Sequence, residues 1–165
     1  MLCFVGKRKK LSLKGDIMKY EINKGTLALV PDNLESCIVY EDNEQYNIDQ
    51  KAFSIMEESC KYFGSTYEGR KNGSKSILGV EYKVPIVIED SDNLIVFPTT
   101  SPSSDDCAWI SLKRVKKIEK LEFNNTKIIF DNDREIVVNC SYRSIENQLS
   151  RASRLDIILR NHKNS

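Results

Sequence analysis

The chain has 165 residues, 40% hydrophobic and 30% charged, with 25 Lys/Arg against 24 Asp/Glu and a formal net charge of +1. This composition suits one soluble globular domain with a proper core, and no apolar run reaches the roughly 18 residues a membrane helix needs. Five widely spaced cysteines without a Cys-x-x-Cys, and a single histidine (His162) near the end, argue against a disulfide framework, a metal site and histidine catalysis. They favour reduced thiols in a cytosol.

Residues 1–17 differ from the rest. A short apolar stretch, Met1 to Val5, precedes the basic cluster Lys7–Lys10, the reverse of the order in a secretory signal. Lys14-Gly-Asp-Ile-Met18 can be encoded as a purine-rich ribosome-binding site followed by a start codon. Residues 1–17 are therefore expected to be a translated leader or disordered extension, with residues 18–165 forming a single domain. The leader holds five bases and one acid, so the remainder carries 20 bases against 23 acids, or −3.

From Tyr20 to Ile48 the chain reads as short strands. Thr26–Val30 ends at the turn signal Pro31-Asp-Asn, and Cys37–Tyr40 and Tyr46–Ile48 flank the acidic turn Glu41–Glu44. A helix follows over 51–63, because Phe53, Met56, Cys60 and Phe63 recur at helical spacing. Gly64 suits its C-cap. Cys60 lies on the apolar face and reads as a buried structural thiol, not a nucleophile.

Gly69 and Gly73 bracket Arg70, Lys71 and Asn72, a spacing that predicts a tight turn pushing two cations outward. Neither a phosphate-loop Gly-Lys-Ser/Thr nor a Gly-x-Gly-x-x-Gly is present. Ser76–Leu78, Val84–Ile88 and Leu94–Phe97 read as further strands. Pro98–Asp106, with two prolines among Ser, Thr and Asp, reads as an extended surface loop.

Cys107–Leu112 resumes a buried strand, and Lys113, Arg114, Lys116 and Lys117 follow on one exposed face. Thr126–Phe130 and Glu135–Asn139 flank Asp131–Arg134, a clear hairpin signal. The last helix is expected to start after Ser144 as N-cap. Ile145, Leu149, Ala152 and Leu159 form its core stripe, Asp156 is the discordant member, and Arg143, Asn147, Arg151 and Arg154 lie on the far side. The expected class is α+β: a mostly antiparallel sheet, a central short helix and a C-terminal amphipathic helix.

Charge is segregated along the chain. Residues 31–49 hold six acids and no base, and 89–106 hold five acids and no base. Residues 110–120 hold five bases and one acid, and 143–163 hold five bases and two acids. A chain near neutrality can then still present a basic face.

Ser59-Cys-Lys-Tyr-Phe-Gly-Ser-Thr-Tyr-Glu-Gly-Arg-Lys71 resembles the signature segment of the bacterial competence transcription factor (ComK) family. Pro85-Ile-Val-Ile with Leu94-Ile-Val-Phe-Pro-Thr99, Cys107-Ala-Trp-Ile-Ser111, and Ser141-Tyr-Arg-Ser-Ile-Glu-Asn-Gln148 match in the same order. The resemblance runs from about Tyr20 to about Leu159. It implies a cytoplasmic, nucleoid-associated transcriptional activator, not an enzyme and without cofactor. Such a protein reads paired A/T-rich boxes in double-stranded DNA mainly through the minor groove, assembles as a dimer or tetramer, and is delivered by an adaptor to a Clp protease. On that reading Arg70 and Lys71 suit insertion into a narrow A-tract groove. Lys61, Lys75, Lys113, Arg114, Lys116, Lys117, Arg151 and Arg154 suit phosphates. Typical members continue a few dozen residues past the last helix. The alternative is a shortened paralogue that modulates a full-length activator by protein–protein or DNA-competitive binding, without activating transcription itself.

Overall fold

The longest apolar runs in this chain are continuous, not alternating, as expected of strands covered on both sides. The computed structural model describes residues 19–165, so the leader expectation, with its Lys7–Lys10 cluster, lies outside the described residues. In order come β1 (Thr26–Pro31), β2 (Cys37–Glu41), β3 (Gln45–Ile48), α1 (Ala52–Tyr62), α2 (Tyr67–Leu78), β4 (Ile86–Glu89), β5 (Leu94–Pro98) and β6 (Trp109–Ser111). A 3-10 turn (Leu112–Arg114), β7 (Val115–Lys120), β8 (Thr126–Phe130), β9 (Glu135–Val138) and α3 (Tyr142–Lys163) complete it.

Six strands form one sheet in the order β3-β2-β1-β6-β5-β4, and three form a second, β7-β8-β9. Every pairing is antiparallel. Successive side chains alternate between faces, so the larger sheet feeds two cores. Leu29, Val39, Ile86, Ile88, Val96 and Trp109 meet Ile55, Met56 and Cys60 of α1. Ala28, Val87, Ile95, Phe97 and Ile110 meet Ile128, Phe130, Ile136 and Val138 of the smaller sheet and Ile145, Ala152 and Leu155 of α3. The α+β class and mostly antiparallel pairing stand as expected, as three layers.

Three expectations are corrected. The glycine-bracketed turn is helical: Arg70, Lys71 and Asn72 lie inside α2, and Ser76–Leu78 is its last turn, not a strand. Thr66 is the N-cap, its hydroxyl accepting from the Gly69 N–H at 3.0 Å, and Gly79 ends the helix at φ 66°. Interior glycines each cost a helix about 1 kcal/mol. Gly69 has a local reason, since a Cβ there would sit 3.1 Å from the Thr66 hydroxyl oxygen. Tyr67 in the first core and Leu78 in the second anchor the two ends. A single central helix thus becomes two, with Gly64 (φ 82°) closing α1 as expected.

The third correction concerns α3, which starts three residues early. Ser141 is its cap, accepting from the Ser144 N–H at 3.1 Å. Its buried stripe is Ile145, Gln148, Ala152, Leu155 and Asp156, with Leu149 and Leu159 only half-buried. Asp156 is tolerated inside because it accepts from Asn93 Nδ2 at 3.0 Å and pairs with Arg160 at 2.8 Å.

Because both cores share one sheet, Trp109→Ala and Phe97→Ala should each lower stability by about 3–5 kcal/mol within one cooperative urea transition. Two separable transitions in either variant would contradict the shared-sheet account.

Candidate nucleic-acid interface

The cations that sequence reading placed on an exposed loop are partly consumed within the protein. Arg70 lies in the first turn of α2. Its side chain is only 16% exposed, and Nη1 donates to Asp90 Oδ2 at 2.9 Å. Its Nε is buried without a hydrogen-bond partner. Cys60 lies beneath, its thiol pushed up to about 11 by burial despite the opposing influence of Arg70. A thiol so raised is not a nucleophile near neutrality. Lys113 Nζ donates to the Asp92 carbonyl.

Arg114 is more committed still. Its Nε donates to both carboxylate oxygens of Asp131 at 2.9 and 3.1 Å, and Nη2 to Asp131 Oδ1 at 2.8 Å. Nη2 also reaches Asp42, and Nη1 donates to the Lys24 carbonyl at 3.1 Å. The fork geometry of a guanidinium permits this where an ammonium would not. Hydrogen bonding from Arg114 holds the Asp131 carboxyl below the usual carboxylate range. In this structure Arg70 and Arg114 are internal anchors, not free cations.

A third anchor carried no signal in the sequence. Arg134 Nη1 donates to the carbonyls of Glu41 at 2.6 Å and Glu44 at 2.8 Å, and the guanidinium lies over the Tyr40 ring at 5.6 Å. Only the acidic run at 41–44 hinted that something cationic is drawn to that turn.

The other candidate lysines sit in surface ion pairs. Lys61 faces Glu58 at 3.5 Å, Lys71 faces Glu68 at 3.9 Å, and Lys75 faces Glu81 at 2.7 Å. Lys116 faces Asp133 at 2.9 Å and Lys117 faces Glu119 at 3.3 Å. Pairs of this kind contribute about 0–1 kcal/mol, so exchanging them for phosphates costs little.

On α3, Arg143 and Arg154 are exposed and make no ion pair among the described residues. Beside them the segment after α2 is held open by hydrogen bonds from α3. Gln148 Nε2 donates to the Lys83 and Pro98 carbonyls, both at 2.8 Å. Arg151 Nη1 donates to the Tyr82 carbonyl at 3.0 Å, and Lys83 Nζ to Ser144 Oγ at 3.1 Å. Lys83 adopts φ 51°, and Tyr82 is left 82% exposed. Lys83 and Arg151 thus join the face of α3 that carries Arg143 and Arg154 to the segment that bears the exposed Tyr82 ring. Glu146 and the Lys75-paired Glu81 are the acids near it. Neither Tyr82 nor Lys83 carried a sequence signal, since the exposure of Tyr82 and the half-buried placement of Lys83 depend on bonds with a helix some 60 residues away.

A groove of about 650 Å³ opens next to this surface, floored by Tyr67 and Trp109 and rimmed by Leu34, Lys71, Tyr82 and the loop at 101–105. No helix among the described residues is long and apolar enough to cross a membrane. Among those residues, no group of three or more His, Cys, Asp or Glu side chains could hold a metal ion.

The family model described as ComK protein matches residues 17–164. The chain is 34% identical over 137 residues to the competence transcription factor of Bacillus subtilis (strain 168), covering 81% of this chain and 71% of that protein. No solved structure matches.

The Arg114 anchor is testable through pH. The depressed Asp131 carboxyl contributes stability above its unfolded pKa, near 4, and loses it as pH falls through the folded value. Arg114→Lys should therefore cost about 2 kcal/mol in urea unfolding at pH 7, with the deficit shrinking as pH falls below about 4. A deficit independent of pH would contradict the assignment.

Proposed function

We propose that this chain, which belongs to the ComK family, is a cytoplasmic, nucleoid-associated regulator of competence gene transcription. It binds paired A/T-rich promoter boxes as an oligomer, mainly through the minor groove, and acts without catalysis. Activation and adaptor-dependent delivery to a Clp protease belong to the same reading.

The observation that carries it is the α3 surface. Residues 18–165 hold more acids than bases, so attraction to a polyanion has to be local. Arg143 and Arg154 are exposed without an ion-pair partner among the described residues, beside Lys83, Arg151 and the Tyr82 ring. Phosphate contacts position a protein on the duplex, and Arg143 and Arg154 supply them without first breaking a bond inside the fold. Lys61, Lys71, Lys75, Lys116 and Lys117 join by exchanging surface partners. Lys113, exposed, joins by leaving the Asp92 carbonyl, whereas Arg70 and Arg114, whose side chains are only 16% exposed, would have to leave the bonds that hold them and take no part here.

Replacing Arg143 and Arg154 together by Ala should leave thermal stability unchanged. It should also reduce the slope of log K against log salt on an A/T-box duplex by about 2, roughly one per phosphate contact. An unaltered slope with unaltered affinity would remove this surface from the interface.

A further inference from the structure

The turn joining β7 to β8 holds the most exposed large apolar side chain among the described residues. Phe123 is 88% exposed and belongs to neither core. It sits at φ 57° and Asn124 follows at φ 60°. The Asn125 N–H donates to the Glu122 carbonyl at 3.3 Å, and the Leu121 N–H to the Asn125 carbonyl at 3.0 Å. Residues 122–125 therefore make a two-residue turn of type I′, whose central positions favour Asn, Asp or Gly. Asn124 fits that preference. A phenylalanine in the left-handed region is an outlier, and such outliers concentrate where function holds them.

The surroundings of the ring indicate its partner. β7 presents Lys116, Lys117 and Lys120 to solvent, and Lys120 makes no ion pair among the described residues. Glu122 is the single acid at the tip. A cationic β-ribbon ending in an aromatic ring has the chemistry of a groove-entering wedge, with cations beside phosphates and an apolar group between bases.

We propose that Phe123 inserts from the minor groove into one base step of the bound site and partly unstacks it, with Lys120 and Lys117 against the flanking phosphates. This rests on the DNA-binding reading above and deepens it. Flexible pyrimidine–purine steps, which A/T-rich boxes can supply as TA, are the least costly to open. The wedge would add sequence preference that the α3 phosphate contacts cannot.

The test uses the full chain and an A/T-box duplex carrying, at its TA steps, a fluorescent adenine analogue whose added ring projects into the major groove, so that the minor-groove edge stays that of A·T; the analogue brightens when unstacked. Wild-type protein should raise the fluorescence on binding, and Phe123→Trp should do so too. Phe123→Asn should abolish the rise and weaken binding by about tenfold, one stacking contact's worth, while keeping the salt slope. Its thermal midpoint should go up, because Asn suits the left-handed position; a merely structural ring predicts the opposite. Glu122→Gln should tighten binding.

The wedge is overturned if wild type binds without a fluorescence change, or if Phe123→Asn responds like wild type. It is equally overturned if Phe123→Asn leaves DNA binding intact but dissociates the oligomer in sedimentation, which would assign the ring to a contact between copies. In each of those cases the slope effect of Arg143 and Arg154 still supports the DNA-binding reading. Absence of wild-type binding to any duplex removes both.

Discussion

A six-stranded sheet that is apolar on both faces cannot stand with one face covered, and that constraint organises the molecule. α1 and the start of α2 cover one side, so a further layer has to be attached to the other. The β7-β8-β9 sheet supplies it, with apolar Ile128, Ile136 and Val138 facing inward. Two arginines fix its position: Arg114 ties the start of β7 and Asp131 to Asp42, and Arg134 reaches the Glu41 and Glu44 carbonyls. Burial drives the layers together without direction, while the guanidinium bonds give them a register.

The electrostatics follow from the same arrangement. The acidic turn after β2 accepts Arg114 and Arg134. The turn between β4 and β5 accepts Arg70 through Asp90, Lys113 and Lys24 through Asp92, and Lys163 through Asp90 and Asn93. Charge segregation along the chain therefore becomes pairing in space. Arg143 and Arg154 of α3, and Lys120 of β7, remain outward and unpaired among the described residues after that cancellation. A polyanion would meet those first.

The strands were largely legible in the sequence, because β-branched runs bounded by Pro31, Asp90–Asn93 and Asp131–Arg134 carry their own boundaries. The error at α2 has a physical cause. Two interior glycines argue against a helix locally, but Thr66 caps it and Tyr67 and Leu78 anchor it in two different cores, which a linear pattern does not reveal. Arg70 and Arg114 were legible as cations but not as anchors, since their acceptors lie 20 and 17 residues away or further. Tyr82 and Phe123 were missed for opposite reasons. One is exposed by bonds from α3, and the other by a turn whose chemistry its residue type contradicts.

The central functional claim is that sequence is read through the minor groove, and base substitution tests it most directly. An inosine·cytosine pair presents the major-groove edge of G·C but lacks the guanine amino group, so its minor groove resembles that of A·T. Affinity would be measured by fluorescence anisotropy at physiological salt on three duplexes: A/T boxes, the same boxes as I·C, and the same boxes as G·C. The account predicts that the I·C duplex binds nearly as well as the A/T duplex and that the G·C duplex binds far more weakly. Loss of binding on both substituted duplexes would place the reading in the major groove and contradict it.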